Sequence, residues 1–96
     1  MAADELIWGD WVLRLDDNVV EILHRSGVGY RYHVNHVAVE AKPADHGMTV
    51  RVGIDVRGTI VEGTTMEVPL QMQSQVQALF AEARKRRERA GGAPAD

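Results

Sequence analysis

Four histidines, His24, His33, His36 and His46, are the residues of this 96-residue chain whose chemistry first suggests a metal. His33 and His36 form the tightest pair. On an unbroken strand an odd separation puts them on opposite faces, so only a break between them would bring both to one ion. No carboxylate or thiolate lies at a spacing that completes a tetrahedral site, and the chain has no cysteine. Polar strand positions and corner hydrogen bonds account for the histidines better. No metal and no other cofactor is expected.

Nucleophilic chemistry has still less to work with. The only serines are Ser26, among turn residues, and Ser74, at the start of a helical pattern. Neither sits in the Gly-x-Ser-x-Gly elbow that exposes a serine between strand and helix. Gly27-Val28-Gly29 lacks the third glycine, the lysine and the helix start of a phosphate-binding loop. No pair of carboxylates is singled out for acid–base work. A non-enzyme is the expectation.

Charge is the stronger signal. Arg84, Lys85, Arg86, Arg87 and Arg89, against Glu88, give residues 84–89 a net +4, which leaves −7 for the rest of a chain whose total is −3. Residues 4–21 hold Asp4, Glu5, Asp10, Asp16, Asp17 and Glu21 against Arg14 alone. The chain therefore has an acidic front and a basic end. The basic run suits phosphate contacts, and a small nucleic-acid-associated factor is the alternative function. Against it, cations at a helix C-terminus are favourable with the macrodipole in any case, the run is short, and no aromatic residue interrupts it. A second use is docking on an acidic partner, including the acidic half of another copy. Trp8 and Trp11 are two of only five aromatic residues. Trp11 shares parity with Leu13 and Leu15 and belongs to the core, whereas Trp8 is a candidate exposed anchor for a partner.

The elements that must carry these groups follow from periodicity. Val76, Leu79, Phe80 and Ala83 fall at i, i+3, i+4 and i+7, predicting a helix over Ser74 to Arg89 with one apolar face. Met72 extends that face one turn back. Ser74 with Gln77 reads as a capping box. The face predicts a lid over a sheet. Phe80→Ala should then cost about 3–5 kcal/mol, and an exposed Arg86→Ala less than about 0.5 kcal/mol.

Before the helix the pattern is short strands. Trp11, Leu13 and Leu15 alternate with polar neighbours, Asp16-Asp17-Asn18 supplies a turn, and Val19 to His24 returns as a second strand. Val28, Tyr30, Tyr32 and Val34 alternate next, but Val37, Val39 and Ala41 have the opposite parity. No strand keeps one apolar face across that shift, so a corner is expected at Asn35–His36. Lys42 to Gly47 reads as a loop. Met48 to Val56 gives the cleanest alternation, Arg57-Gly58 a hairpin turn, and Thr59 to Glu62 and Thr65 to Val68 the last two strands, with a turn or bulge at Gly63. No βαβ alternation is present, so the seven strands should be antiparallel.

Residues 1–9 read as a lead-in or mobile N-terminus, 10–89 as the domain, and 90–96, with two glycines and a proline, as a disordered tail. No apolar run approaches the roughly 20 residues that cross a bilayer. The acidic N-terminus lacks the basic segment and apolar block of a signal peptide. A cytoplasmic protein, or a cytoplasmic piece of a larger one, is the expectation.

In its element order the chain resembles the pleckstrin-homology-like superfold, in particular its small bacterial members. The likeness rests on the first hairpin, Trp11 to Ile22, on the offset strands around His36, and on Thr65-Met-Glu-Val-Pro-Leu70 running into the helix. It implies an α+β fold, a seven-stranded antiparallel split barrel of two near-orthogonal sheets. One C-terminal amphipathic helix would close it with Val76, Leu79, Phe80 and Ala83. Such domains bind phosphoinositides, peptides or proteins, or serve as assembly modules. The lipid-binding branch carries basic residues at the first hairpin loop. Here that loop is Asp16-Asp17-Asn18, whose carboxylates repel an inositol phosphate. The expectation is a non-catalytic binding or assembly module for a protein or peptide, with the groove between the helix and a sheet edge as the place for it.

Overall fold

The computed structural model describes residues 5–88. The chain forms two antiparallel sheets followed by a C-terminal helix. The first sheet holds β1 (Glu5–Trp8), β2 (Trp11–Asp16), β3 (Val19–His24) and β4 (Gly29–His33) in sequential order. The second holds β5 (Val37–Ala44), β6 (Gly47–Val56) and β7 (Thr59–Pro69). A 3-10 turn at Leu70–Met72 leads into α1 (Gln73–Arg87).

Alternation decides which residues enter the core. Leu13 and Leu15 on β2, Val20 and Ile22 on β3, and Tyr32 on β4 are all buried. From the second sheet Val37, Met48, Val50, Val52, Met66 and Val68 meet them. Asp16 pairs with Val19, leaving Asp17 and Asn18 as a two-residue loop. Asp17 sits at φ 56°, a left-handed conformation that aspartate tolerates through its short polar side chain.

The parity shift between Val34 and Val37 is a crossing from one sheet to the other. The Val34 amide donates to the Asn18 carbonyl (2.8 Å), and the Asp55 amide donates to the His36 carbonyl (2.7 Å). The corner is thus pinned to each sheet in turn. Two side chains tie the sheets again: Trp8 Nε1 donates to the Glu67 carbonyl (2.9 Å), and the Tyr32 hydroxyl to the Glu62 carbonyl (3.3 Å).

Four local expectations are corrected. Glu5–Trp8, read as lead-in, is a strand, with Trp8 opposite Trp11. Lys42 to Ala44 continue β5, with Pro43 opposite Met48; proline is tolerated because β5 is an edge strand. Thr59 to Pro69 is one strand, not two. Glu62 at φ 52° and a register slip between Val52 and Ile54 take up a bulge beside Gly63. The capping box does not form: the N-cap is Met72, with no side-chain cap hydrogen bond, and Ser74 lies inside the helix. The preceding 3-10 turn starts the helix early and moves Ser74 past the cap position. The strand number is still seven, because one strand is gained and two merge.

Candidate functional site

Helix α1 has one buried face, formed by Val76, Leu79, Phe80 and Ala83, and all four belong to the core cluster of the sheets. Met72 is half-buried against the same cluster. The helix is therefore a packed cover rather than a detached rod, and its polar face carries the basic run.

That run is divided. Arg84 and Lys85 are exposed, and Arg86 and Arg87 half-buried. Arg86 Nη1 donates to the Asp17 carbonyl (2.6 Å), and its Nε donates to Glu82 Oε2 (3.1 Å). Arg87 lies 3.8 Å from Asp55 Oδ2. Arg89, the last cation of the run, is outside the described residues. The basic end thus reaches the β2–β3 turn inside one chain, with Arg86 seated on a backbone carbonyl there rather than on a carboxylate. The Arg84 side chain makes neither a hydrogen bond nor an ion pair among the described residues.

Trp8 is not an exposed anchor. It is 8% exposed, and its indole N–H is spent on Glu67. A buried indole needs such a partner, and pairing of β1 with β2 turns it inward. Trp11 is only half-buried, its ring edge-on to His24 with centroids 4.5 Å apart.

The histidines are placed separately. His24 Nδ1 hydrogen-bonds Ser26 Oγ (2.9 Å), and His33 Nδ1 accepts the Asn35 amide (3.1 Å). The His33 and His36 rings stand 6.1 Å apart. Among the described residues no group of three or more His, Asp or Glu is gathered in a way that could hold a metal.

A groove of about 450 Å³ runs between β5 and α1 and extends over Arg51 and Asp55 of β6 to Gly58, Thr59 and Ile60 at the β6–β7 turn. Val37 and Val39, with Phe80 and Ala83, give it an apolar lining, and Arg84 and Arg87 border it from the helix. Ala38 and Glu40 line it too. These alternate with Val37 and Val39, so the groove wraps the edge of β5 rather than lying on one face. Among the described residues β5 pairs only with β6, so its other edge presents unpaired backbone groups. Val39 is 37% exposed although its neighbours in register, Val52 and Thr64, lie at or near the core. The parity shift marks β5 as a new strand, and its one edge signal, Pro43, reads equally as part of a loop.

No helix among the described residues is long and apolar enough to cross a membrane. Compared with family models, curated proteins and solved structures, the chain matches none.

Proposed function

We propose that this protein is a non-catalytic binding module that takes an extended peptide onto the free edge of β5. Its arrangement would be that of a pleckstrin-homology-like split barrel. Two antiparallel sheets with a helix packed across them support that reading. The observation that carries the function is the groove itself: an unpaired strand edge beside the apolar lining Val37, Val39, Phe80 and Ala83. Strand addition draws affinity from main-chain hydrogen bonds and specificity from pockets for alternate side chains. Arg84, on the rim without a partner among the described residues, favours a peptide with an acidic residue next to its apolar ones. The alternative, a nucleic-acid factor using the basic helix end, draws less support because Arg86 is spent on the Asp17 carbonyl and Glu82, and Arg87 on Asp55.

A display library of random peptides selects the ligand class, and amide shifts of the labelled protein locate it. Selected peptides should be apolar and acidic and should shift Val37 to Ala41 and Phe80 to Arg87. Shifts confined to other strands, or a library that yields no binder, would overturn the proposal.

A further inference from the structure

The outer face of the first sheet carries an ordered pattern that neither the core nor the groove uses. Direct register partners across its four strands are Glu5, Arg14, Glu21 and Arg31. These form a row of alternating charge, joined side by side. Arg14 lies 3.6 Å from Glu5 and 2.6 Å from Glu21, and Arg31 lies 3.0 Å from the other Glu21 oxygen. Two residues along each strand lies a second row in register, Ile7, Val12, Leu23 and Gly29. Ile7 is 66% exposed and Leu23 38%, with Val12 half-buried between them. A short apolar strip, exposed at Ile7 and Leu23, therefore runs parallel to a charge ladder.

We infer that this face is the contact surface of a two-fold symmetric dimer of the chain. The argument is self-complementarity. A two-fold axis parallel to the strands, between β2 and β3, reverses strand order and keeps each row opposite its own kind. Glu5 then faces Arg31 of the second copy, and Arg14 faces its Glu21. An alternating row of even length meets its own reverse with opposite charges at every position. In the apolar row Val12 meets Leu23, and Ile7 meets the open Gly29 end. Shifting the pairing by one strand would set like charges together, so the pattern fixes the register as well as the partner. None of these residues lines the β5 groove, so a dimer leaves both grooves open and gives two-site binding.

The face spans about 20 Å across its strands and about 20 Å along them, less than a standard interface of about 800 Å² per partner. The dimer is therefore weak, concentration-dependent and further weakened by salt.

Sedimentation equilibrium on the full chain, from micromolar to about 1 mM, tests it with two charge reversals. Glu5→Arg and Arg31→Glu each place like charges opposite one another in their own homodimer, and should weaken association about tenfold or more. Mixed in equal amounts, the two variants face each other with opposite charges at both ends. The mixture should recover association to within about threefold of the wild type. Ile7→Ser, at an exposed position that leaves the intrachain ion pairs intact, should weaken the dimer without altering the thermal melt. A wild-type chain that stays monomeric throughout the range would overturn the inference. So would a dimer that all three variants retain, or a mixture of two well-folded variants that associates no better than either alone.

Discussion

Arg86, in the last turn of α1, reaches the carbonyl oxygen of Asp17 in the β2–β3 turn at 2.6 Å, across a sequence separation of 69 residues. The acceptor belongs to a residue held at φ 56°, so the guanidinium steadies a turn whose Asn18 carbonyl is also held by the Val34 amide. The same side chain bonds Glu82 one helical turn back, and it is 21% exposed. Hydrogen bonds from charged donors contribute more than neutral ones. Arg86→Ala should therefore cost about 1–2 kcal/mol, not the near-zero value of an exposed helical arginine. Arg86→Lys should recover only part of it, because lysine has one donor group where arginine presents a fork. Urea unfolding of the three proteins measures both. A loss below about 0.3 kcal/mol would mean the contact contributes nothing.

Phe80 tests how firmly the helix covers the sheets. Its side chain is 8% exposed and belongs to the same cluster as the strand residues. Phe80→Ala removes buried area and leaves a cavity that the sheets cannot close, at a cost of about 3–5 kcal/mol. Because Phe80 also lines the groove, peptide affinity should fall with it. Ala78→Ser, on the exposed side of the same turn, should leave both stability and binding within about 0.5 kcal/mol. Calorimetric unfolding of both variants gives the comparison.

Gly53 is a position where a methyl group cannot enter. A Cβ there would stand 2.7 Å from the Val61 carbonyl oxygen, 2.8 Å from Gly63 Cα and 2.6 Å from Ile60 Cγ2. Two of these neighbours are backbone atoms of the bulged part of β7, so the crowding cannot be relieved by rotating a side chain. Gly53→Ala should cost about 1–3 kcal/mol through overpacking and disturb the amide shifts of Ile60 to Gly63. Gly63→Ala meets contacts only at 3.0–3.1 Å and should cost less. Equal effects would mean that the bulge yields freely.

The contrast between Gly53 and Val34 explains what was legible in the sequence. Alternation is a local signal, and it located β2, β3 and β6 and the corner at Asn35–His36. Helical spacing picked out the four buried residues of α1. Edge status and cross-strand packing are not local. Nothing about Gly53 in the sequence reveals that β7 bulges over it, and Gly63 was equally compatible with a turn. Pro43 and Asp45 suggested a loop because turn residues and edge-strand residues share a composition. Trp8 looked like an anchor because its acceptor, the Glu67 carbonyl, lies 59 residues away. The basic run was visible as charge, but its division between Asp17, Asp55 and solvent depends on where the helix axis points. The sequence suggests a helix beside a sheet edge, without the identity of that edge.

Tyr32 gives the fold a weakness at alkaline pH. Its hydroxyl is pushed above the ordinary tyrosine value, first by burial and then by the neighbouring Tyr30 and Glu62. The neutral phenol donates to the Glu62 carbonyl (3.3 Å), a bond the phenolate cannot make. Unfolded, the side chain titrates near pH 10; folded, it holds its proton to higher pH. Between those two values the folded state binds more protons than the unfolded one, so stability falls as pH rises. Below the unfolded value the contribution is fully present, and neutral or mildly acidic conditions leave it unchanged. Tyr32→Phe keeps the buried ring and gives up the hydrogen bond, which should cost about 0.5–1.5 kcal/mol near pH 7. The variant has no proton to lose, so its stability should decline less above pH 10 than that of the wild type. The gap between the two proteins should therefore narrow from neutral to alkaline pH. Urea unfolding at matched ionic strength across that range measures it, and a gap that stays constant would show that Tyr32 titrates alike in both states.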